Sequence, residues 1–302
     1  MAKRVIEISE RVTRVSVKNG LLTLQPKDGT GQTIPLEEVA VLLFCRKEIS
    51  LTGAAVSEFL KRGTLAVFCD ERSLPVGVLL PLVGHGRQAR FFQEQTALSP
   101  VRKKHFWRQV VQAKIQSQSA WLRSHFQDDF GLGKLSDKVR SDDTSNIEGL
   151  AARIYWEKSG IISQRDRKAD DANRLLNYGY TILYASMARA ICSAGLHPTM
   201  GIHHHNQYNS FCLASDLMEP FRTVVDEAVW QWTSTHTTTD LTRETKQFLA
   251  GRILNSRFSK TDAPPLNLFH ALRETVLSMR NNLSGLSETM VFPLYDIGET
   301  FS

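Results

Sequence analysis

The hydrophobic pattern of this chain changes its period once, near Pro81, and that change calls for a molecule in two parts. Before it, Val15 and Val17 alternate with Arg14, Ser16 and Lys18, and Leu22 and Leu24 follow after Asn19-Gly20. Both residues of an Asn-Gly pair tolerate positive φ, so the pair predicts a hairpin closed by a type I′ turn. Asp28-Gly29-Thr30-Gly31 marks a second turn, leading to Thr33-Ile34-Pro35-Leu36. Segments 39–44, 65–68 and 76–80 are apolar runs of strand length, and Ala54, Ala55, Val56, Phe59 and Leu60 are spaced for one short helix. Beyond Gly84-His85-Gly86, which reads as a hinge, the spacing is helical. Helices are predicted over 101–126, 145–158, 172–194, 216–232, 239–254 and 266–282, with 290–294 a last short strand or an extended tail. The expected class is α+β: a small, sandwich-like N-terminal β domain over 1–83, a linker and helix start over 84–98, and a larger all-α domain over 99–302.

A length of 302 residues with 42% hydrophobic content suits a globular protein with a sizeable core. No apolar run approaches the roughly 18 residues of a membrane span. Glu7 and Glu10 interrupt any secretory apolar stretch at the start, so the expected location is the cytoplasm, with no membrane partner. Cys45, Cys69, Cys192 and Cys212 stand far apart with no paired spacing, which argues against a structural zinc site and for free thiols.

The net charge is +6 and the pI about 9.2, but the distribution says more than the sum. Between Glu94 and Asp128 there is no acidic residue, while Arg102, Lys103, Lys104, Arg108, Lys114 and Arg123 interleave with His105, Phe106, Trp107 and Trp121. A basic segment of one sign fits a nucleic-acid backbone; it also fits a solvated helix face.

Three stretches carry candidate chemistry. In Asn146-Ile147-Glu148-Gly149, Glu148 can be a carboxylate ligand or the last member of a capping box with Ser145. In Asp216-Leu217-Met218-Glu219-Pro220-Phe221, the two acids share a helical face as ligands, or cap the helix start. Between them, Gly201-Ile202-His203-His204-His205-Asn206 supplies consecutive imidazoles, either ligands or an exposed tract. Carboxylate and imidazole together suit a divalent cation such as Mg²⁺ or Mn²⁺. The chain has no H-E-x-x-H, no G-x-S-x-G and no phosphate-binding G-x-x-x-x-G-K-[ST], which speaks against zinc peptidase, serine hydrolase and nucleotidase chemistry.

In this order, and with Asn177-Tyr178-Gly179-Tyr180 between the first two, the stretches resemble the CRISPR-associated integrase family of spacer acquisition over nearly the whole chain. The Gly-Ile-His-His-x-Asn form looks like the branch associated with type II systems. The resemblance implies that Glu148, His204 and Glu219 are the catalytic, metal-holding residues. It selects His204 by its spacing from Gly201 and Glu219, and leaves Asp216 as an additional ligand or an orienting acid. It further implies a homodimer formed largely through the β domain, and a heterohexamer with a small CRISPR-associated adaptation subunit. Double-stranded and branched DNA, CRISPR repeat and prespacer DNA are the implied substrates, with other adaptation proteins or the effector nuclease as further partners. Arg102, Lys103, Lys104, Arg108, His203 and His205 are the candidate DNA contacts. The implied reaction is strand transfer by the 3′-hydroxyl of a foreign fragment into the repeat. On this reading, Glu219→Ala should abolish it and leave the fold nearly intact. A metal-dependent repair nuclease and a non-catalytic DNA scaffold are the competing readings.

Overall fold

The computed structural model describes residues 4–8, 12–46, 48–70, 75–80, 85–162, 165–166, 169, 171–260 and 264–300. Gly84 of the expected hinge lies outside the described residues. The chain divides into units of residues 1–83 and 84–301.

The first unit holds β1 (Arg4–Ile8), β2 (Val12–Lys18), β3 (Leu21–Pro26), β4 (Gln32–Pro35), β5 (Val39–Phe44), β6 (Ser50–Leu51), α1 (Gly53–Arg62), β7 (Leu65–Cys69) and β8 (Pro75–Leu79). They form two four-stranded sheets, ordered β1-β5-β7-β8 and β4-β3-β2-β6. Lys18 pairs with Leu21 across the predicted hairpin, and Asn19 (φ 52°) and Gly20 (φ 75°) both take the left-handed conformation that its turn demands. The alternating strands turn Val15, Val17, Leu22 and Leu24 inward, where they share one core with Ile8, Leu42, Phe44 and Phe59 of the other sheet and α1. Each residue of β5 is buried, as its unbroken apolar run requires of a strand with parallel neighbours on both sides. Thr52 caps α1 by accepting from the Ala55 amide at 3.2 Å.

The second unit contains α2 (Gln88–Thr96), α3 (Pro100–Phe126), α4 (Leu132–Ser136), α5 (Ile147–Ser159), α6 (Ala172–Ser193), α7 (Cys212–Leu217), α8 (Arg222–Thr235), α9 (Arg243–Leu254), β9 (Ser256–Ser259), β10 (Leu266–Asn267), α10 (Leu268–Leu283) and β11 (Leu294–Thr300). Ser99 starts α3 with a side-chain cap and Pro100 at the first helical position. The single helix expected over 216–232 is two: α7 and α8 are joined by one tight turn, Glu219–Phe221, at Pro220, which has no N–H to donate. The unit is also not all-α. An antiparallel sheet ordered β10-β9-β11 closes it, with Phe258 of β9 buried beneath Tyr295 of β11. The strand foreseen near 290–294 begins at Leu294 and runs to Thr300, and a Ser256–Ser259 strand hidden behind a helical pattern gives it a partner.

α3 is the axis of this unit. Its face of Trp107, Val110, Val111, Ile115, Gln118, Trp121 and Leu122 is buried, against α4, α5, α8 and the Glu219–Phe221 turn. Gly179 of α6 lets α8 approach: a Cβ there would stand 2.4 Å from Val225 Cγ1.

Candidate active site

The N-terminus of α5 delivers Glu148. Ser145 does not cap it, and no capping box forms: Asn146 is the cap (φ 49°), its side chain accepting from the Gly149 amide. Asp143 receives the next donors, Oδ1 from the Ile147 amide at 2.9 Å and Oδ2 from the Glu148 amide at 2.8 Å. With those amides satisfied, the Glu148 carboxylate turns to α3, where Lys114 Nζ lies 2.6 Å from Oε1.

Glu219 meets the same ammonium. Its Oε2 lies 2.6 Å from Lys114 Nζ and its Oε1 2.7 Å from the Arg222 guanidinium one turn on. Glu219 is only 6% exposed, against 25% for the Glu148 side chain. Burial alone pushes a carboxyl up, yet Arg222 and then Lys114 outweigh it and hold Glu219 down to about 2. Burial likewise opposes the Lys114 charge, but the Glu219 and Glu148 carboxylates raise its pKa above the ordinary lysine value.

His204 comes from the loop between α6 and α7, which Asp216 of α7 holds from beneath. Asp216 Oδ2 accepts the Ile202 amide at 2.6 Å and the His203 amide at 3.0 Å. Its Oδ1 accepts the His204 amide at 3.1 Å and His204 Nδ1 at 2.5 Å. Successive amides closing on one carboxylate form an anion nest. Four donors use the acceptor capacity of the two oxygens, so Asp216 orients the loop instead of offering a lone pair outward. A carboxylate can only accept, so Nδ1 carries the proton and Nε2 of the neutral ring is an acceptor. The Asp216 hydrogen bond raises the His204 pKa against the effect of burial, and the charges of Asp216, Glu219 and Glu148 add to the rise. Gly201 makes the loop possible, since a Cβ there would fall 2.2 Å from the His204 carbonyl oxygen.

The neighbouring imidazoles behave differently. His203 stacks on Trp107 of α3, ring centroids 4.1 Å apart and planes 6° from parallel. His205 is exposed, with Nδ1 2.8 Å from the His203 carbonyl oxygen. On α3, Arg102 donates to the Asn282 side-chain oxygen at 3.0 Å and to its backbone carbonyl, at the end of α10, and Lys104 pairs with Asp142 at 3.0 Å. Lys103 is half-buried. Arg108 lines an open cleft of about 650 Å³ with Asp137, Lys138, Arg140, Ser141 and Ser145, bounded by Ile147 next to Glu148. The side chains of Arg108, Lys138 and Arg140 make no ion pair among the described residues.

Sequence reasoning placed Lys114 in the basic segment but missed its place between the two glutamates, and it missed the roles of Arg222 and Asp143. Lys114 falls one turn from Val110, Val111 and Gln118, on the buried face of α3, and a lysine at a core-facing position is a signal that something negative awaits it.

Among the described residues no three His, Cys, Asp or Glu side chains stand ready to ligate one ion. The donor set nevertheless fits a hard divalent cation. Two carboxylate oxygens converge on one positive centre, Glu219 Oε2 makes no well-angled hydrogen bond among the described residues, and the imidazole is fixed by a carboxylate at Nδ1, as metal-ligating histidines are.

The family model for CRISPR associated protein Cas1 matches residues 6–261. Among curated proteins, the chain is 32% identical over 221 residues to "CRISPR-associated endonuclease Cas1" of Neisseria meningitidis serogroup C (strain 8013), spanning 72% of this chain and 71% of that relative. Solved structures share the fold. A casposase bound to integration product covers 100% of this chain and 96% of its own, at TM-score 0.81 and 18% identity. A Cas6-RT-Cas1–Cas2 complex covers 97% of this chain and 36% of its own, at TM-score 0.73 and 20% identity. The chain belongs to the CRISPR associated protein Cas1 family. No helix among the described residues is long and apolar enough to cross a membrane.

Proposed function

We propose that this chain is a divalent-metal-dependent DNA integrase and endonuclease of CRISPR spacer acquisition, which joins the 3′-hydroxyl ends of foreign DNA fragments to the CRISPR repeat. One observation carries the reading: Glu148 and Glu219 converge on a single cationic centre, each 2.6 Å from Lys114 Nζ, beside an imidazole fixed by Asp216. The name of the Neisseria relative and the integration product held by the casposase support the same chemistry.

Glu148, Glu219 and His204 through Nε2 are the residues that would hold Mg²⁺ or Mn²⁺. Such an ion lowers the cost of forming an alkoxide from the attacking hydroxyl and offsets charge at phosphorus. The chain's own groups prepare for this. Arg222 and Lys114 keep Glu219 ionised far below neutral pH. Asp216 locks the His204 tautomer and so leaves Nε2 as the acceptor. Trp107, stacked on His203, braces the loop against α3.

For the DNA backbone the better path is the cleft of Arg108, Lys138 and Arg140, whose cations outnumber its one acid, Asp137, and form no ion pair among the described residues, in preference to Arg102 and Lys104, which have internal partners. Lys103 and His205 are proposed as secondary DNA contacts, and His203, stacked on Trp107, acts by holding the loop. Removing one phosphate-binding cation should lower the slope of log K against log salt by about 0.9. The assembly proposed is a homodimer joined to a small Cas2-type subunit in a heterohexamer; the Cas1–Cas2 composition of the solved neighbour supports that partner.

A half-site strand-transfer assay on labelled branched or repeat-containing DNA tests the reading. It compares the wild type with Glu148→Gln, Mn²⁺ with EDTA, and the presence with the absence of the small subunit. A joined product that needs metal and vanishes in the variant is expected. Cleavage without joining would mean a repair nuclease, and intact binding with no turnover in any condition would mean a scaffold.

A further inference from the structure

Lys114 occupies the point on which the two glutamates converge. Its ammonium is 2.6 Å from Glu148 Oε1 and 2.6 Å from Glu219 Oε2, and its side chain is 13% exposed. A divalent ion held by Glu148 and Glu219 would need the volume that the ammonium now fills. Two cations cannot share it. The carboxylates, for their part, repel each other across that gap and need a positive charge whenever no ion is bound. Arg222 cannot supply it for both, because its guanidinium is committed to Glu219 Oε1, the oxygen turned away from Lys114. The lysine rides on a flexible four-carbon stem from a rigid 27-residue helix, so its head can leave while its Cα stays fixed.

We propose that Lys114 is the built-in counter-ion of this site: its ammonium holds Glu148 and Glu219 together in the metal-free protein and yields its place when a divalent ion binds. Lys114 is therefore a positioning residue that competes with the metal and sets its affinity. The inference rests on the metal reading of Glu148, His204 and Glu219. Loss of the ammonium has two opposite consequences. Without metal, Glu148 Oε1 and Glu219 Oε2 face each other with no cation between them, and the protein is less stable. With metal, the competitor is gone and binding is tighter.

The test measures Mn²⁺ itself, by the electron paramagnetic resonance of the free ion and by thermal unfolding with and without Mn²⁺, on the full chain and on Lys114→Met. The expected result is a dissociation constant lower by about tenfold or more, a lower Tm without metal, and a Mn²⁺-induced rise in Tm larger than in the wild type. Equal or weaker Mn²⁺ binding in Lys114→Met, with wild-type binding intact, overturns the counter-ion role and leaves the metal reading standing. Absence of Mn²⁺ binding to the wild type overturns both. The wild type also provides a measurement that needs no variant: acetylation of lysines read by mass spectrometry. Lys114 should be protected without metal and label several-fold faster with Mn²⁺, while the exposed Lys138 should not change. A Lys114 labelling rate indifferent to Mn²⁺ overturns the proposal even if Lys114→Met fails to fold.

Discussion

Glu219 and Asp226 lie on adjoining segments of one helical stretch, both buried, and their environments drive them in opposite directions. Glu219 faces two cations and is held down to about 2. Asp226 faces two phenols: Tyr155 donates to Oδ2 at 2.9 Å and Tyr180 to Oδ1. Burial pushes Asp226 up to about 6, against the restraint of the Tyr180 and Tyr155 hydrogen bonds and the more distant Arg222 and Arg165 charges. The same depth therefore makes one carboxylate a permanent anion fit to hold a cation and the other a structural acceptor. The partner decides, not the depth. Glu227 extends the structural half, accepting from Trp121 Nε1 at 2.8 Å, His125 Nε2 at 2.7 Å and Gln231 at 2.7 Å.

Removing each acid should separate the two halves. The largest effect is expected at Glu219→Ala, which leaves Arg222 and Lys114 buried without their shared anion. It should lose turnover and also about 3–5 kcal/mol of stability in urea unfolding. The expectation that this substitution spares the fold does not fit a carboxylate clamped between cations, and Glu148→Gln, at the more exposed acid, is the cleaner catalytic test. A Glu219→Ala protein as stable as the wild type would break the comparison at its acidic end. Next comes Asp216→Asn, whose amide cannot accept all four donors. Mn²⁺ affinity measured by titration should fall about 10–100-fold, and an unchanged affinity would mean that the loop holds its shape without the clamp.

The pH dependence of stability is a smaller effect and reads the contrast directly. From the ordinary 3.8 to about 6, folded Asp226 keeps a proton that the unfolded chain has released, so its contribution is full below pH 3.8 and is lost as pH rises through about 6. Glu219 runs the other way: its contribution is present above the ordinary 4.5 and is lost as pH falls toward about 2. Asp226→Asn should gain on the wild type by about 2 kcal/mol between pH 4.5 and pH 7, read from unfolding midpoints at the two values. A constant difference would show that Asp226 is ionised throughout. Smallest is Asp143→Ala, which removes the acceptor for the Ile147 and Glu148 amides and should lower stability by about 1 kcal/mol. A loss of strand transfer beyond that seen in Tm would show that this cap also aims Glu148.

What could be read from sequence was whatever a local pattern encodes. Asn19-Gly20 specified its hairpin because turn type depends on two residues alone. The helical period located α3, α6 and α10 to within a residue or two at most ends. The pairing of Glu148 with Ser145 failed because Asp143, outside the capping pattern, reaches the same amides from a left-handed turn (φ 44°). The unbroken helix over 216–232 failed at Pro220. The β9–β11 pairing joins strands separated by α10, and no local period records that. For the candidate site, the acids and the histidine loop were legible from their motifs. Their mutual geometry was not, because Lys114 reaches Glu148 and Glu219 from a distant helix whose basic character pointed outward, to DNA.

The close approach at Gly179 bears on how portable such a site is. With no side chain at 179, α6 nests against Val225, and the Tyr180 hydroxyl beside it fastens Asp226. α8 therefore cannot be lifted out with its Glu219 turn and set on another scaffold, for its seat belongs to a helix that contributes no ligand. Anyone rebuilding this centre in a designed protein would have to carry α3, α5, α6 and the stretch from Gly201 to Thr235 together. The smallest transferable part is the helical core itself.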